Sequence, residues 1–152
     1  MKRSAGILLF RRVHEDLEVF LVHPGGPFWK NKDAGVWTIP KGEYAEGEDA
    51  LAAACREFQE ETGFTLDGTF EELGRVKQSS AKTVIAWALE QDLDAGQITS
   101  NTFQLEWPPR SGKLQEFPEV DRGEWFPVQT AGEKILPGQQ EFLDRLMALA
   151  KK

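Results

Sequence analysis

The sequence predicts an α/β or α+β sandwich, a mixed β-sheet with α-helices on its faces, and three observations carry that expectation. Short β-branched or alternating apolar runs recur along the chain, two amphipathic segments of helical length interrupt them, and 152 residues are enough to bury a core between such layers. The same length fits one domain spanning residues 1–152. No internal repeat or low-complexity tract breaks it.

The strand-like segments are residues 4–10, 18–23, 36–39, 72–78, 83–90, 102–107 and 123–126. The first helix is expected over residues 49–62, with Leu51, Ala54, Cys55 and Phe58 on one face and Gly63 placed to end it. The second is expected over 139–150, where Phe142, Leu143, Leu146, Met147 and Leu149 make an apolar stripe suited to covering a sheet. Residues 23–35 and 108–118, rich in proline and glycine, read as long loops of the kind that carry binding groups on a rigid scaffold.

Composition bounds the function. A net charge of −7 with pI near 4.9 argues against a binder of duplex nucleic acid, which needs basic surface to neutralise phosphates. A small phosphorylated ligand stays compatible with that charge, because metal ions supply positive charge locally. Cys55 is the only cysteine, so no internal disulfide forms, and its apolar neighbours make it a small core residue rather than a catalytic thiol. The apolar run 7–10 is too short for a signal peptide and no membrane-spanning run follows, so a cytoplasmic address is expected. Nothing in the sequence fixes an oligomeric state.

The chemistry concentrates between Gly42 and Phe64. Gly42 is followed after five residues by Glu48, and after seven more by Arg56-Glu57-Phe58-Gln59-Glu60-Glu61-Thr62-Gly63-Phe64. On a helix Glu57, Glu60 and Glu61 stand at i, i+3 and i+4, share a face, and offer hard oxygen ligands for Mg²⁺ or Mn²⁺. They are expected roughly opposite Leu51, Ala54 and Phe58, with the small Ala50 and Ala53 leaving room beside them for a phosphate. Like charges at i and i+4 oppose helix formation unless a cation sits between them. A solvated acidic face accounts for three glutamates alone, but not for the glycines, the arginine and the aromatics at fixed offsets.

This stretch satisfies the pattern of the Nudix box, and the chain resembles the Nudix hydrolases, which cleave a nucleoside diphosphate linked to another group. The resemblance implies the Nudix fold, with Glu57, Glu60 and Glu61 as metal ligands. It implies also that Arg56 pairs with Glu48 and orients those ligands. Gly42, where a strand meets a loop, would let backbone and substrate approach the metal closely. A further acid outside the box often completes such sites, and Glu119 is the candidate, with Glu116 and Asp121 as alternatives. The general base stays open among Glu57, Glu60, Glu61 and Glu119, since reach to a water is a geometric matter.

Within the family the chain looks most like diadenosine polyphosphate hydrolases, through residues 5–12, 37–42, 82–87 and 138–143. It departs from the animal enzymes in having longer segments at 23–35 and 92–118, and in Glu43-Tyr44 where they carry histidine and an aliphatic residue. The expected partner is therefore a small nucleotide, with nucleoside triphosphates, ADP-ribose or inositol pyrophosphates as other substrates and a non-catalytic nucleotide sensor as the competing class. Lys41, Lys82, Arg110 and Lys113 are candidates to meet its phosphates. Trp37, with Phe28, Trp29, Trp107 and Phe117, is a candidate to stack its base, while His14 and His23 read as surface or loop residues.

Overall fold

The computed structural model describes residues 2–150. In chain order the strands are β1 (Lys2–Val13), β2 (Asp16–Pro24), β3 (Lys41–Glu43), β4 (Glu71–Ser79), β5 (Lys82–Glu90), β6 (Thr102–Glu106), β7 (Leu114–Pro118) and β8 (Val120–Pro127). The helices are α1 (Ala50–Thr62), α2 (Val128–Lys134) and α3 (Gln140–Ala150). A mixed sheet runs β4-β5-β1-β2-β8, with β3 also paired to β1, and β6 and β7 form a separate hairpin. Among the strands of the described residues, only β1 and β5 pair in parallel.

β1 shows how the sandwich is built. Its side chains alternate across the sheet, so Leu8 and Phe10 join the core under α2 and α3 while Ala5, Ile7 and Leu9 join the core under α1. One edge of the strand serves two partners in succession: residues 4–6 pair with β3 and residues 10–13 with β2. The chain can pass so close because residue 6 is glycine. A Cβ there would lie 2.7 Å from the Pro40 carbonyl oxygen and 2.8 Å from Lys41 Cβ.

α1 begins where the Asp49 carboxylate accepts from the Ala52 N–H at 2.9 Å, and ends at Gly63 with φ 81°. Its buried side carries Ala53, Ala54, Phe58, Glu61 and Thr62. Phe58 is fully buried against Phe20, their ring centroids 6.2 Å apart, which fixes the helix on the sheet. Among the described residues no helix is long and apolar enough to cross a membrane.

Three local expectations are corrected. Residues 36–39 are no strand but two isolated bridges, Val22 to Thr38 and Trp37 to Ile135, because Trp37 and Thr38 turn to different neighbours. Residues 114–118, expected within a loop, pair with 102–106 as β7; the short strand is mostly exposed and so lacks an apolar alternation. α2 was absent from the expected elements, since Gly132 weakens its helical pattern, yet burial of Ala131 holds it against the sheet.

Candidate active site

The glutamates of α1 do not lie opposite its apolar face. At 100° per residue Glu61 falls only about 60° from Phe58 and about 20° from Ala54, so Glu61 is carried inward and is just 8% exposed. Glu57 is half-buried beside it, Glu60 borders solvent, and the exposed side belongs to Ala52, Arg56 and Gln59. Ala53 is fully buried and leaves no open space beside the acids.

Gly42 is the floor of the site. A Cβ at this position would lie 2.2 Å from Glu57 Oε2 and 2.0 Å from Glu57 Cδ, so only glycine lets the carboxylate rest on β3. Arg56 holds the other side: Nη2 donates to Glu48 Oε2 at 3.0 Å, while Nη1 donates to Glu57 Oε1 at 3.2 Å and stands 3.6 Å from Glu60 Oε1. Glu48 is itself fixed by accepting from the Ala45 N–H at 3.1 Å. The expected Arg56–Glu48 pair is thus present, and the same guanidinium reaches two of the three helix acids.

Glu119 arrives from the far end of the chain through backbone bonds. The Asn101 N–H donates to the Glu60 carbonyl at 2.8 Å, and the Asn101 carbonyl accepts from the Glu119 N–H at 2.8 Å. One residue therefore stitches the end of α1 to the junction of β7 and β8. The alternatives are engaged elsewhere, Glu116 with the Thr102 hydroxyl at 2.7 Å and Asp121 with His23 at 2.9 Å.

Burial and mutual repulsion raise the Glu57, Glu61 and Glu119 carboxyls of the cluster. Burial pushes the Glu61 carboxyl up to about 8, against the pull of the Lys41 ammonium, with Glu57 and Glu119 pushing the same way. Burial and then Glu60 raise Glu57, against Arg56, and burial and then Glu60 raise Glu119. Burial, reinforced by Lys82, holds Lys41 below the usual lysine range, opposed by Glu61. Lys41 opens β3 and Lys82 opens β5, and Lys41 lies within electrostatic reach of Lys82, Glu61 and Glu57. Among the described residues no three His, Cys, Asp or Glu side chains converge on one point in the rotamers present. The donor set fits Mg²⁺ or Mn²⁺ all the same, since four carboxyls in mutual electrostatic reach are hard, anionic and destabilised by one another.

Other expected site residues are placed elsewhere. Trp37 is 1% exposed, packs edge-on against Phe126 and donates Nε1–H to Asp33, so its ring is core and stacks no base. His23 is likewise fully buried rather than on the surface, held by Asp121 and the Lys32 carbonyl, whereas His14 sits exposed in a turn. Arg110 and Lys113 stand exposed at the tip of the β6–β7 hairpin, a strand's length from Glu119 at its base. Sequence reasoning missed Asn101, whose contribution is purely backbone, and the partners of Tyr44, whose ring lies 5.7 Å from the Arg3 guanidinium and whose hydroxyl accepts from Arg75 at 3.3 Å. Only the tertiary pairing of β1, β3 and β4 reveals the latter group.

The NUDIX domain family model matches residues 1–146. The asymmetrical bis(5'-nucleosyl)-tetraphosphatase of Rattus norvegicus is 45% identical over 100 residues, covering 58% of this chain and 64% of that protein. Nudix hydrolase 7 of Arabidopsis thaliana is 32% identical over 127 residues, 83% of this chain and 39% of the relative. These matches span less than two thirds of either relative's length. A crystal structure of a C. elegans Ap4A hydrolase binary complex superposes with TM-score 0.67 at 22% identity, over 99% of this chain and 98% of that one, which speaks to the fold. With the box in place on α1 and a domain match running nearly end to end, the chain belongs to the Nudix family.

Proposed function

We propose that this chain is a divalent-metal-dependent pyrophosphohydrolase that cleaves a phosphoanhydride bond in a nucleoside diphosphate-linked substrate, a diadenosine polyphosphate or related nucleotide. The observation that carries the reading is that Glu57, Glu60, Glu61 and Glu119 lie within electrostatic reach of one another near Lys41, with burial raising three of the four carboxyls. Likeness to a bis(5'-nucleosyl)-tetraphosphatase supports the substrate class.

Glu57, Glu60, Glu61 and Glu119 would hold Mg²⁺ or Mn²⁺, with Gly42 letting the Glu57 carboxylate lie directly against β3. The ion supplies charge neutralisation on the phosphates and lowers the cost of forming a nucleophile from water. Arg56, anchored by Glu48, keeps the helix carboxylates from wandering, which preserves the alignment on which an in-line displacement depends. Lys41 and Lys82 bind phosphate oxygens. As water adds to phosphorus, its proton passes to one carboxylate of the cluster and the anhydride oxygen leaves with the departing nucleotide.

Product analysis with Mg²⁺ tests this reading on diadenosine tetraphosphate, a nucleoside triphosphate, ADP-ribose and an inositol pyrophosphate. Cleavage of the dinucleotide to two nucleotides is expected. Turnover of another member alone would move the substrate class, and binding without turnover of any would make the chain a sensor.

A further inference from the structure

An aromatic, cationic arm stands beside the acid cleft. Residues 25–28 run along the β6–β7 hairpin from its base toward its tip, with Gly25 and Gly26 fitted closely against it. A Cβ on Gly25 would lie 1.9 Å from the Pro118 carbonyl oxygen, and one on Gly26 would lie 3.2 Å from the Phe103 ring. Phe28 then meets Trp107 edge to face, ring centroids 5.2 Å apart. The arm is anchored at the cleft, for the Gly25 N–H donates to the Glu119 carbonyl at 2.9 Å.

Its surface is unlike the rest of the molecule. Of the four large apolar side chains that stand exposed among the described residues, Phe28, Trp29 and Leu114 are here. In a chain of net charge −7, this same surface carries Lys30, Arg110 and Lys113, and among the described residues none of the three forms an ion pair. Exposed rings beside uncommitted cations complement a ligand that is aromatic and anionic at once. The five residues of β6 separate Trp107 from the hairpin base by about 17 Å. A mononucleotide whose phosphates lie at Glu119 cannot reach so far.

We propose that Phe28 and Trp107, with Arg110 and Lys113, form a subsite for the distal nucleoside and adjoining phosphate of an extended, two-ended substrate. This rests on the pyrophosphohydrolase reading for what occupies the cleft, and it makes the arm the discriminator of dinucleoside polyphosphates from mononucleotides. The stack and the cations engage ground and transition states alike, so they act on binding rather than on turnover.

Calorimetric binding of non-hydrolysable methylene analogues of diadenosine tetraphosphate and of ATP, both with Mg²⁺, tests the subsite independently of catalysis. Wild type should bind the dinucleotide analogue about tenfold or more tightly than the ATP analogue. Phe28→Ala, an exposed change that spares the fold, and Arg110→Ala/Lys113→Ala should each remove most of that preference while leaving ATP-analogue affinity unchanged. No preference in wild type, or a preference that both variants retain, overturns the proposal. So does a wild type that sediments as a dimer and dissociates on Phe28→Asp, since the arm would then be covered by a second copy. A preference lost in the variants, together with no hydrolysis of any nucleotide by wild type, would keep the subsite and refute the catalytic reading.

Discussion

The acid cleft and the aromatic arm meet at Glu119 but are held in opposite ways. In the cleft the side chains work against one another: Glu57, Glu61 and Glu119 are raised by burial and by their neighbours, and the one guanidinium, Arg56, reaches only Glu57 among them, alongside Glu60 and Glu48. In the arm the contacts agree, with glycines fitted under the hairpin and aromatic pairs at Phe103–Phe117 and Phe28–Trp107. Conflict that the rest of a fold must sustain is found where a missing ligand would relieve it.

The strongest way to break that contrast is to neutralise the cleft. Glu60→Gln and Glu61→Gln should each lower turnover by about two orders of magnitude or more, within the span of metal and acid-base contributions, while circular dichroism shows an intact fold. Turnover near wild type in either variant would empty the cleft of its catalytic role. Next in size is Gly42→Ala, whose added methyl overlaps the Glu57 carboxylate and must displace it. Misplacement of a ligand by about 1 Å can cost on the order of a hundredfold in rate, so kcat should fall about tenfold to a hundredfold with little loss of melting temperature.

The conflict should also be visible in stability. The Glu61 carboxyl titrates near 8 in the fold and at about 4.3 in the unfolded chain. A group raised on folding contributes stability fully below its unfolded value, and that contribution is lost as pH rises through the folded value. The metal-free protein should therefore lose stability between about pH 4.3 and 8, and Mg²⁺, which requires the ionised form, should restore it. The rise in melting temperature on adding Mg²⁺ should be larger at pH 8.5 than at pH 5.5, by calorimetry; an equal rise at both would remove Glu61 from the site. The smallest effect should come from outside both regions. Asp49→Ala removes the α1 cap and should cost about 1 kcal/mol of stability, measured by urea denaturation, with kcat barely changed.

How much of this was legible in the sequence follows the same division. Gly42, Glu48, Arg56 and the three helix glutamates are local in sequence, and the last four share a helix period, so their spacing could be read directly. What periodicity did not convey was the depth of the helix: Glu61 is buried because the sheet and β3 cover a wider arc of α1 than its apolar residues mark. Glu119 was recognisable as an acid near a strand, but its approach depends on the backbone of Asn101, which no side-chain pattern encodes. Trp37 and His23 misled because they lie in a segment rich in glycine and proline, yet each is drawn into the core by tertiary partners, Phe126 and Asp33 for one and Asp121 for the other. β7 was hidden for a simpler reason, since a strand exposed on both faces has no alternation to show.

Titration of Mn²⁺ followed by electron paramagnetic resonance decides whether Glu57, Glu60, Glu61 and Glu119 together hold a divalent ion. Wild type should bind the ion with a saturable site, Glu57→Gln/Glu61→Gln should weaken that site at least about tenfold by removing two anionic oxygen donors, and Glu119→Gln should weaken it measurably. Mn²⁺ affinity in the double variant equal to that of wild type would place the metal elsewhere and remove these four carboxylates as its ligands.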